Sequence, residues 1–306
     1  MVTTIPPVNV TARNTRIIPF SFEYYEPRTL DEALELLEKF GDQAKILAGG
    51  TDLLVKMKVR LVEPKVLINI KRMADLKYIV EDGDYIRIGA LTRLRDLEYS
   101  DVIKRHVPAL YDAVKVMGSV QIRNMATIGG NLCNASPAAD TAPPLLVHNA
   151  RVVLVSKGGE RVIPLEEFFK GPGITALRPD EMLKEIIVEK AKTGSSAFKK
   201  VTRVAVDLAI ASASVYLEVK GDDTIKTARI ALGSVAPTPV RAKKTEERIK
   251  GLKIASQEPR EALKTIDEEI SPITDVRSTA EYRRYVSKVL VWDALDLAYR
   301  RFKGVT

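Results

Sequence analysis

The sequence predicts an α+β fold divided into more than one domain. Its 306 residues suggest two or three domains at roughly 100–200 residues each. Strand-like and helix-like segments alternate over residues 20–70, and beyond residue 192 three strand-like runs precede three helix-like ones. Separate runs of strands and helices are typical of α+β domains.

The composition excludes several kinds of site. A single cysteine, Cys133, cannot form an intramolecular disulfide and cannot by itself supply an iron–sulfur cluster or a thiolate zinc site. The only histidines, His106 and His148, show no pattern that assigns them a role, and we expect no metal site in this chain. No nucleophile motif or carboxylate pair stands out either, so no catalytic residue is predicted.

The net charge bears on the possible binding partners, and the first residues bear on the cellular location. The formal net charge is +8, but basic and acidic residues alternate even in the densest cluster, residues 241–250, which argues against nucleic-acid binding. The first residues lack a basic segment followed by an apolar run. No stretch approaches the roughly 18 apolar residues that a transmembrane helix needs. We therefore expect a cytoplasmic protein without a transmembrane segment.

The first third predicts a βαβ-like unit behind an irregular N-terminal strap, residues 1–19. Thr29-Leu-Asp-Glu32 has the capping-box pattern, and Gly41 follows the last apolar helical position. Short apolar runs predict buried strands. The predicted order is an extended segment at Phe20–Tyr25, a helix from Thr29 to Gly41, a strand at Ala44–Ala48, a helix at Thr51–Val59 and a strand at Lys65–Ile70.

The middle of the chain predicts two hairpins around a segment of loop-like composition. Asp82-Gly83 and Lys157-Gly-Gly-Glu160 each separate two strand-like runs, as in β-hairpins. Residues 118–146 are rich in Gly, Asn, Ser, Ala and Pro, and a loop of that length inside a domain indicates function. The predicted elements are strands at Tyr78–Glu81, Tyr85–Gly89, Val152–Ser156 and Arg161–Pro164, and helices at Leu91–Glu98 and Pro108–Val116.

The last third predicts a separate α+β domain. The composition shifts near residues 192–196, and long alternating runs then give way to helical periodicity. The predicted elements are strands at Ala197–Val201, Leu208–Val219 and Ile225–Leu232, followed by helices at Lys243–Lys250, Pro259–Glu269 and Thr279–Phe302.

Two double-glycine turns, Leu47–Asp52 and Ala126–Asn131, are predicted at strand ends. Paired glycines admit a bulky anion because no Cβ intervenes, and free N–H groups at such turns form an anion-binding nest. Each could equally be a plain tight turn. The Walker A pattern is absent, and Gly171-Pro-Gly173-Ile-Thr-Ala176 lacks the flanking strand and helix that a Rossmann site needs.

From about Phe20 onward the chain resembles the FAD-binding medium subunits of the xanthine dehydrogenase/carbon monoxide dehydrogenase family of molybdenum hydroxylases. The resemblance implies an FAD-binding fold of the vanillyl-alcohol-oxidase (PCMH) type with subdomains at residues 20–74 and 75–192. It also implies a C-terminal α+β domain of the CO dehydrogenase flavoprotein type at residues 193–306. The matching motifs are Ala48-Gly-Gly-Thr-Asp52, Leu67-Ile-Asn-Ile70, Ile88-Gly-Ala-Leu-Thr92 and, most specifically, Gln121–Asp140 followed by Pro143-Pro144.

The resemblance also implies cofactor-binding residues. The two turns would hold the pyrophosphate and ribityl groups, and the others would line the flavin cleft or contact the cofactor. For several of them a structural role stays open: a helix N-cap for Asp140, turn formation for Asn131 and Asn134, core packing for Leu183, solvent charge for Lys199. The implied set is Leu47, Ala48, Gly49, Gly50, Thr51, Asp52, Ala90, Thr92, Thr127, Gly129, Gly130, Asn131, Asn134, Asp140, Leu183 and Lys199.

The function implied by the resemblance is electron transfer. The chain would pass electrons from the [2Fe–2S] clusters of a small iron–sulfur subunit through FAD to an external acceptor. The oxidation of an aldehyde, CO or an N-heterocycle would take place on a large molybdopterin subunit, in a dimer of heterotrimers. Two alternatives stay open: a stand-alone flavin oxidoreductase similar to UDP-acetylenolpyruvoylglucosamine reductase, and a cofactor-free scaffold or nucleic-acid-binding module.

Overall fold

A computed structural model describes the backbone of residues 3–5 and all of residues 18–305. Helices and strands are mixed, and the predicted α+β class is confirmed. Most of the predicted N-terminal strap, residues 1–19, lies outside the described residues. Its residues 3–5 form a strand that pairs antiparallel with residues 22–24.

The first sheet is a mixed sheet of four strands in the order β1-β2-β4-β3. Strands β2, β4 and β3 run parallel, as the βαβ pattern predicts. β3 is an edge strand, and only its two end residues are buried, so the predicted buried strand is buried in part only. The elements are β1 (Thr3–Ile5), β2 (Phe22–Tyr25), α1 (Leu30–Phe40), β3 (Ala44–Leu47), α2 (Leu53–Lys58) and β4 (Val66–Asn69), with 3₁₀ turns at Gly41–Gln43 and Ala74–Leu76.

Helix α1 begins and ends where the sequence predicts. Oγ1 of Thr29 accepts from the Glu32 N–H at 3.2 Å, which satisfies one of the free donors of the first turn. Gly41 follows the helix with φ +47°, a conformation that glycine adopts without steric cost.

The second sheet has five antiparallel strands in the order β5-β6-β11-β7-β8. Both predicted hairpins, β5–β6 and β7–β8, are confirmed. The elements are β5 (Ile79–Asp82), β6 (Tyr85–Gly89), α3 (Leu94–Glu98), α4 (Asp101–His106), α5 (Pro108–Val116), α6 (Val120–Met125), α7 (Ile128–Cys133), α8 (Ala142–Val147), β7 (Arg151–Ser156), β8 (Gly159–Pro164), α9 (Leu165–Phe168), β9 (Phe169–Gly171), β10 (Ile174–Thr175) and β11 (Met182–Glu189).

Two expectations for this region are wrong. The segment 118–146 is not a loop, because it folds into the three short helices α6, α7 and α8. Gly129 and Gly130 lie in the first turn of α7 rather than at a strand end. Gly171–Ala176 contains the turn and the second strand of the β9–β10 hairpin, which agrees with the exclusion of a Rossmann site.

The third sheet has four antiparallel strands in the order β12-β13-β14-β15. Helix α12 packs on β12 and β13, while α5 and α8 from the preceding region pack on β12 and β14. Apolar side chains of the sheet and of α10 and α12 form one continuous core. The elements are β12 (Ser195–Val201), β13 (Ala211–Val219), β14 (Ile225–Gly233), β15 (Val240–Arg241), α10 (Lys243–Ile249), α11 (Glu258–Ala262), a 3₁₀ helix (Leu263–Glu268) and α12 (Ala280–Phe302).

Candidate functional site

A cleft of about 820 Å³ lies between the β3–α2 turn, the α6–α8 segment and strand β11. Its volume falls in the upper part of the range of about 300–1,000 Å³ that is typical of small-molecule and cofactor sites. Most of the predicted binding residues line it: Ala48, Gly49, Gly50, Thr51, Asp52, Ala90, Thr127, Gly129, Gly130, Asn131, Asn134, Asp140 and Leu183.

The first glycine of each double-glycine segment packs closely against neighbouring residues. A Cβ at Gly49 would lie 2.4 Å from the carbonyl oxygen of Met125 and 2.9 Å from Cα of Ala126. A Cβ at Gly129 would lie 2.7 Å from both Cβ and the carbonyl oxygen of Ala90. The first glycine of each pair therefore serves the close packing of backbone on backbone.

Free backbone donors occur at the first segment. Gly50 has φ +83°, and within residues 18–305 the N–H groups of Gly50, Thr51 and Asp52 have no hydrogen-bond partner. Successive unpaired N–H groups at a turn form an anion-binding concavity. This part of the cleft therefore suits a phosphate.

The second segment offers fewer donors than expected. The Ile128 N–H donates to the Thr92 carbonyl oxygen at 3.0 Å, and the Gly129 N–H donates to the Ala90 carbonyl oxygen at 3.0 Å. The Gly130 N–H donates to Oγ1 of Thr127, the N-cap of α7, at 3.1 Å. The first two bonds hold α7 against the loop that follows β6 and the third caps α7 itself, so none of these three N–H groups is free for an anion.

Asp140 and Lys200 form a buried ion pair beside the cleft. Nζ of Lys200 donates to Oδ2 of Asp140 at 2.8 Å, and both side chains are 7% exposed. Oδ1 of Asp140 is buried and has no partner. Burial raises the pKa of Asp140, and the attraction of Lys200 opposes that shift. Asp140 does not cap α8, whose N-cap is Thr141, so it lines the cleft with an unused acceptor atom.

Two asparagines connect the elements around the cleft. Oδ1 of Asn131 accepts from Oγ1 of Thr141 at 2.6 Å. Oδ1 of Asn134 accepts from Nζ of Lys56 at 2.6 Å, and its Nδ2 donates to Oδ1 of Asp52 at 3.2 Å. The second bridge joins α2 to the end of α7. Lys56 was not predicted as a site residue, because one lysine on a short amphipathic helix has the pattern of an ordinary surface charge.

Three predicted residues do not reach the cleft. Leu47 is buried in a small apolar cluster with Phe22 and Met57. Oγ1 of Thr92 donates to the Tyr78 carbonyl oxygen at 2.9 Å and accepts from the Tyr78 N–H at 3.2 Å. Lys199 points to the opposite face of β12 from Lys200, since successive strand residues alternate between faces. The cation beside Asp140 is Lys200, which was not among the predicted residues.

The cysteine and the histidines show no reactive arrangement. Cys133 lines the cleft, and burial raises the pKa of its thiol to about 12. Burial lowers the pKa of His148 to about 4. His106 lies 3.4 Å from Glu81 near the surface. Across the described part of the chain, no group of three or more His, Cys, Asp or Glu side chains could hold a metal ion.

These features together define the class of site: a cleft with free N–H groups that suit a phosphate and with apolar side chains in its lining, as in a site for a phosphate-bearing cofactor. Comparison with known families agrees. Residues 20–190 match the FAD binding domain in molybdopterin dehydrogenase, and residues 196–298 match the CO dehydrogenase flavoprotein C-terminal domain.

Known proteins share this organisation over nearly their whole length. The chain is 35% identical to the glyceraldehyde dehydrogenase medium chain of Sulfolobus acidocaldarius, over 90% of this chain and 98% of that protein. It is 34% identical to the carbon monoxide dehydrogenase medium chain of Hydrogenophaga pseudoflava, over 93% and 99% of the two chains. A structure of reconstituted CO dehydrogenase from Oligotropha carboxidovorans superposes with a TM-score of 0.90 at 32% identity, covering 93% and 100% of the two chains.

The chain belongs to the family of FAD-binding medium subunits of molybdenum hydroxylases. It is therefore a flavoprotein subunit of a molybdenum-dependent oxidoreductase, and the predicted fold with its C-terminal flavoprotein domain is confirmed. The match to that C-terminal domain favours this assignment over a stand-alone reductase or a cofactor-free scaffold. In residues 18–305, no helix is long and apolar enough to cross a membrane.

Proposed function

We propose that the chain holds FAD in this cleft and passes electrons from the [2Fe–2S] clusters of a partner subunit to an external acceptor. The observation that carries the proposal is the meeting of both glycine segments and the unpaired oxygen of Asp140 in one cleft. FAD supplies the redox chemistry when it is bound, since a flavin accepts electrons singly or in pairs, whereas the protein supplies binding and electrostatics.

The residues of the cleft fit this cofactor. The free N–H groups of Gly50, Thr51 and Asp52 would receive the pyrophosphate oxygens. The unpaired Oδ1 of Asp140 would accept a hydrogen bond from an N–H or O–H group of the cofactor. Leu183, which is 4% exposed, would contact its apolar surface and exclude water. The proposed subdomains, residues 20–74 and 75–192, would each contribute one glycine segment.

We place the metal centres on other chains. One cysteine cannot ligate a cluster, so we propose that a small iron–sulfur subunit carries the clusters and that a large molybdopterin subunit carries the molybdenum. We propose a cytoplasmic dimer of heterotrimers. Relatives of nearly equal identity are named for glyceraldehyde and for carbon monoxide, and the substrate of the complex is accordingly proposed as an aldehyde, CO or an N-heterocycle that reacts on the large subunit.

Purification of the tagged chain from its own cells, followed by assays of FAD, iron and molybdenum, tests this assignment. We expect one FAD per chain, two co-purifying subunits, and flavin reduction by substrate that requires those subunits. A chain that purifies alone and reduces its own flavin with NAD(P)H would contradict the proposal. That outcome would support a self-contained reductase.

A further inference from the structure

Lys56 lies at the centre of a polar bridge on one side of the cleft. It follows Asp52 by one helical turn, and its N–H donates to the Asp52 carbonyl oxygen at 3.0 Å. Its Nζ donates to Oδ1 of Asn134 at 2.6 Å, and Nδ2 of Asn134 donates to Oδ1 of Asp52 at 3.2 Å. All three residues line the cleft. The bridge therefore fixes the Lys56 ammonium beside the turn that carries the free N–H groups.

In the described chain Lys56 has no direct carboxylate partner, since the Asp52 carboxylate in the same bridge reaches it only through Asn134. Within the described chain it forms no ion pair, whereas Arg178, another cation of the cleft, lies 3.9 Å from Glu181. An ammonium has three donor hydrogens, and Asn134 uses one of them. Lys56 is also half-buried, so water screens its charge less than that of a fully exposed lysine. Two donors and a positive charge remain for a ligand.

We propose that Lys56 recognises the pyrophosphate of FAD as its counter-charge and that Asn134 is a positioning residue that holds the ammonium in place. The inference rests on the proposed function, because it requires the pyrophosphate to lie at residues 50–52. The backbone donors there are neutral and fix the position of the phosphates. Lys56 adds the charge that distinguishes a dinucleotide from an uncharged flavin.

The test compares the binding of FAD and of riboflavin, which has no phosphate, to the full-length chain by flavin fluorescence. We expect Lys56→Gln to weaken FAD binding about tenfold, the usual scale for losing a hydrogen bond to a charged group, and to leave riboflavin binding unchanged. Lys56→Arg keeps the charge and should retain most of the affinity. Lys58→Gln is the matched control, because Lys58 lies on the same helix, is exposed, does not line the cleft and forms no side-chain hydrogen bond or ion pair with residues 18–305.

Salt provides a second measurement, in which the affinity of each chain is compared with its own value at low salt. Between about 0.05 and 0.5 M salt, the FAD affinity of the wild-type chain should fall more steeply than that of Lys56→Gln, because screening weakens the charge interaction. If Lys56→Gln weakened FAD and riboflavin binding equally, or if the two chains had equal salt slopes, the inference would be overturned. Lys56 would then only stabilise the local structure. A wild-type chain that binds no FAD would instead refute the proposed function, and the inference with it.

Discussion

Replacing Gly49 by alanine tests whether the two glycine segments must interlock. The new Cβ would lie 2.4 Å from the Met125 carbonyl oxygen and 2.9 Å from Cα of Ala126. Both atoms belong to the backbone. The Ala126 N–H donates to the Ile122 carbonyl oxygen at 2.7 Å, and the Ala126 carbonyl oxygen accepts from the Leu94 N–H at 2.9 Å. The segment therefore cannot move away without losing hydrogen bonds.

The expected cost of Gly49→Ala follows from this overlap. Overpacking typically costs about 1–3 kcal/mol, and we expect the upper end because the opposing atoms are fixed backbone. At about 2–4 °C per kcal/mol for a chain of this size or slightly smaller, about 3 kcal/mol lowers Tm by roughly 6–12 °C. FAD retention should fall as well, because the turn that carries the free N–H groups is displaced.

The assay is thermal unfolding with flavin retention measured on the same samples. Gly171→Ala is the matched control, because the nearest atom to its new Cβ is Cδ1 of Ile174 at 3.8 Å, an ordinary van der Waals contact. It should change Tm little. A Gly49→Ala chain as stable as this control, with FAD retained, would refute the packing argument.

Two further predictions concern buried charge. Lys200→Met should destabilise the fold by about 3–5 kcal/mol in denaturant titrations, because it leaves the Asp140 carboxylate buried without its partner. Adding Asp140→Asn to this variant should recover much of the loss. A Lys200→Met chain as stable as the wild type would contradict this prediction. Burial lowers the pKa of His148 from 6.5 to about 4, so the folded state favours the neutral ring. Stability should decline as pH falls from about 6.5 towards 4, and His148→Gln should show a shallower decline.

Local sequence signals predicted the elements that depend on local interactions. The N-cap at Thr29, the Asp82-Gly83 hairpin and the long C-terminal helix lie within a few residues of their predicted positions, although the Glu32 carboxylate accepts from the Arg28 N–H and so does not close the predicted capping box. In each case the turn or cap chemistry is contained in a few consecutive residues. The parallel pairing of β3 and β4 follows similarly from the short βαβ connection between them.

The helices of residues 118–146 could not be predicted because tertiary contacts hold them. Helix α7 contains Gly129 and Gly130, and each glycine disfavours a helix by about 1 kcal/mol relative to alanine. The helix forms because Thr127 caps it and because buried Ile128 and Leu132 anchor it in the core. The cap is a local contact, but the tertiary packing of Ile128 and Leu132 leaves no periodic pattern in so short a segment.

In the candidate site, too, some residues could be predicted from local motifs and others could not. The glycine segments and Asp140 are recognisable as motifs, and the structure brings them to one cleft. The side-chain cations are harder to assign. Lys199 and Lys200 are adjacent on β12, and a shift of one residue changes the face of the sheet. Lys56 becomes distinctive only through Asn134, which lies 78 residues away in the sequence.

The absorption spectrum of the purified full-length chain, after incubation with FAD and desalting, tests the central claim most directly. We expect bands near ~370 and ~450 nm at one flavin per chain, and weaker bands in Gly49→Ala than in Gly171→Ala. A colourless wild-type chain, purified with or without its partner subunits, would contradict the assignment of the cleft as the FAD site.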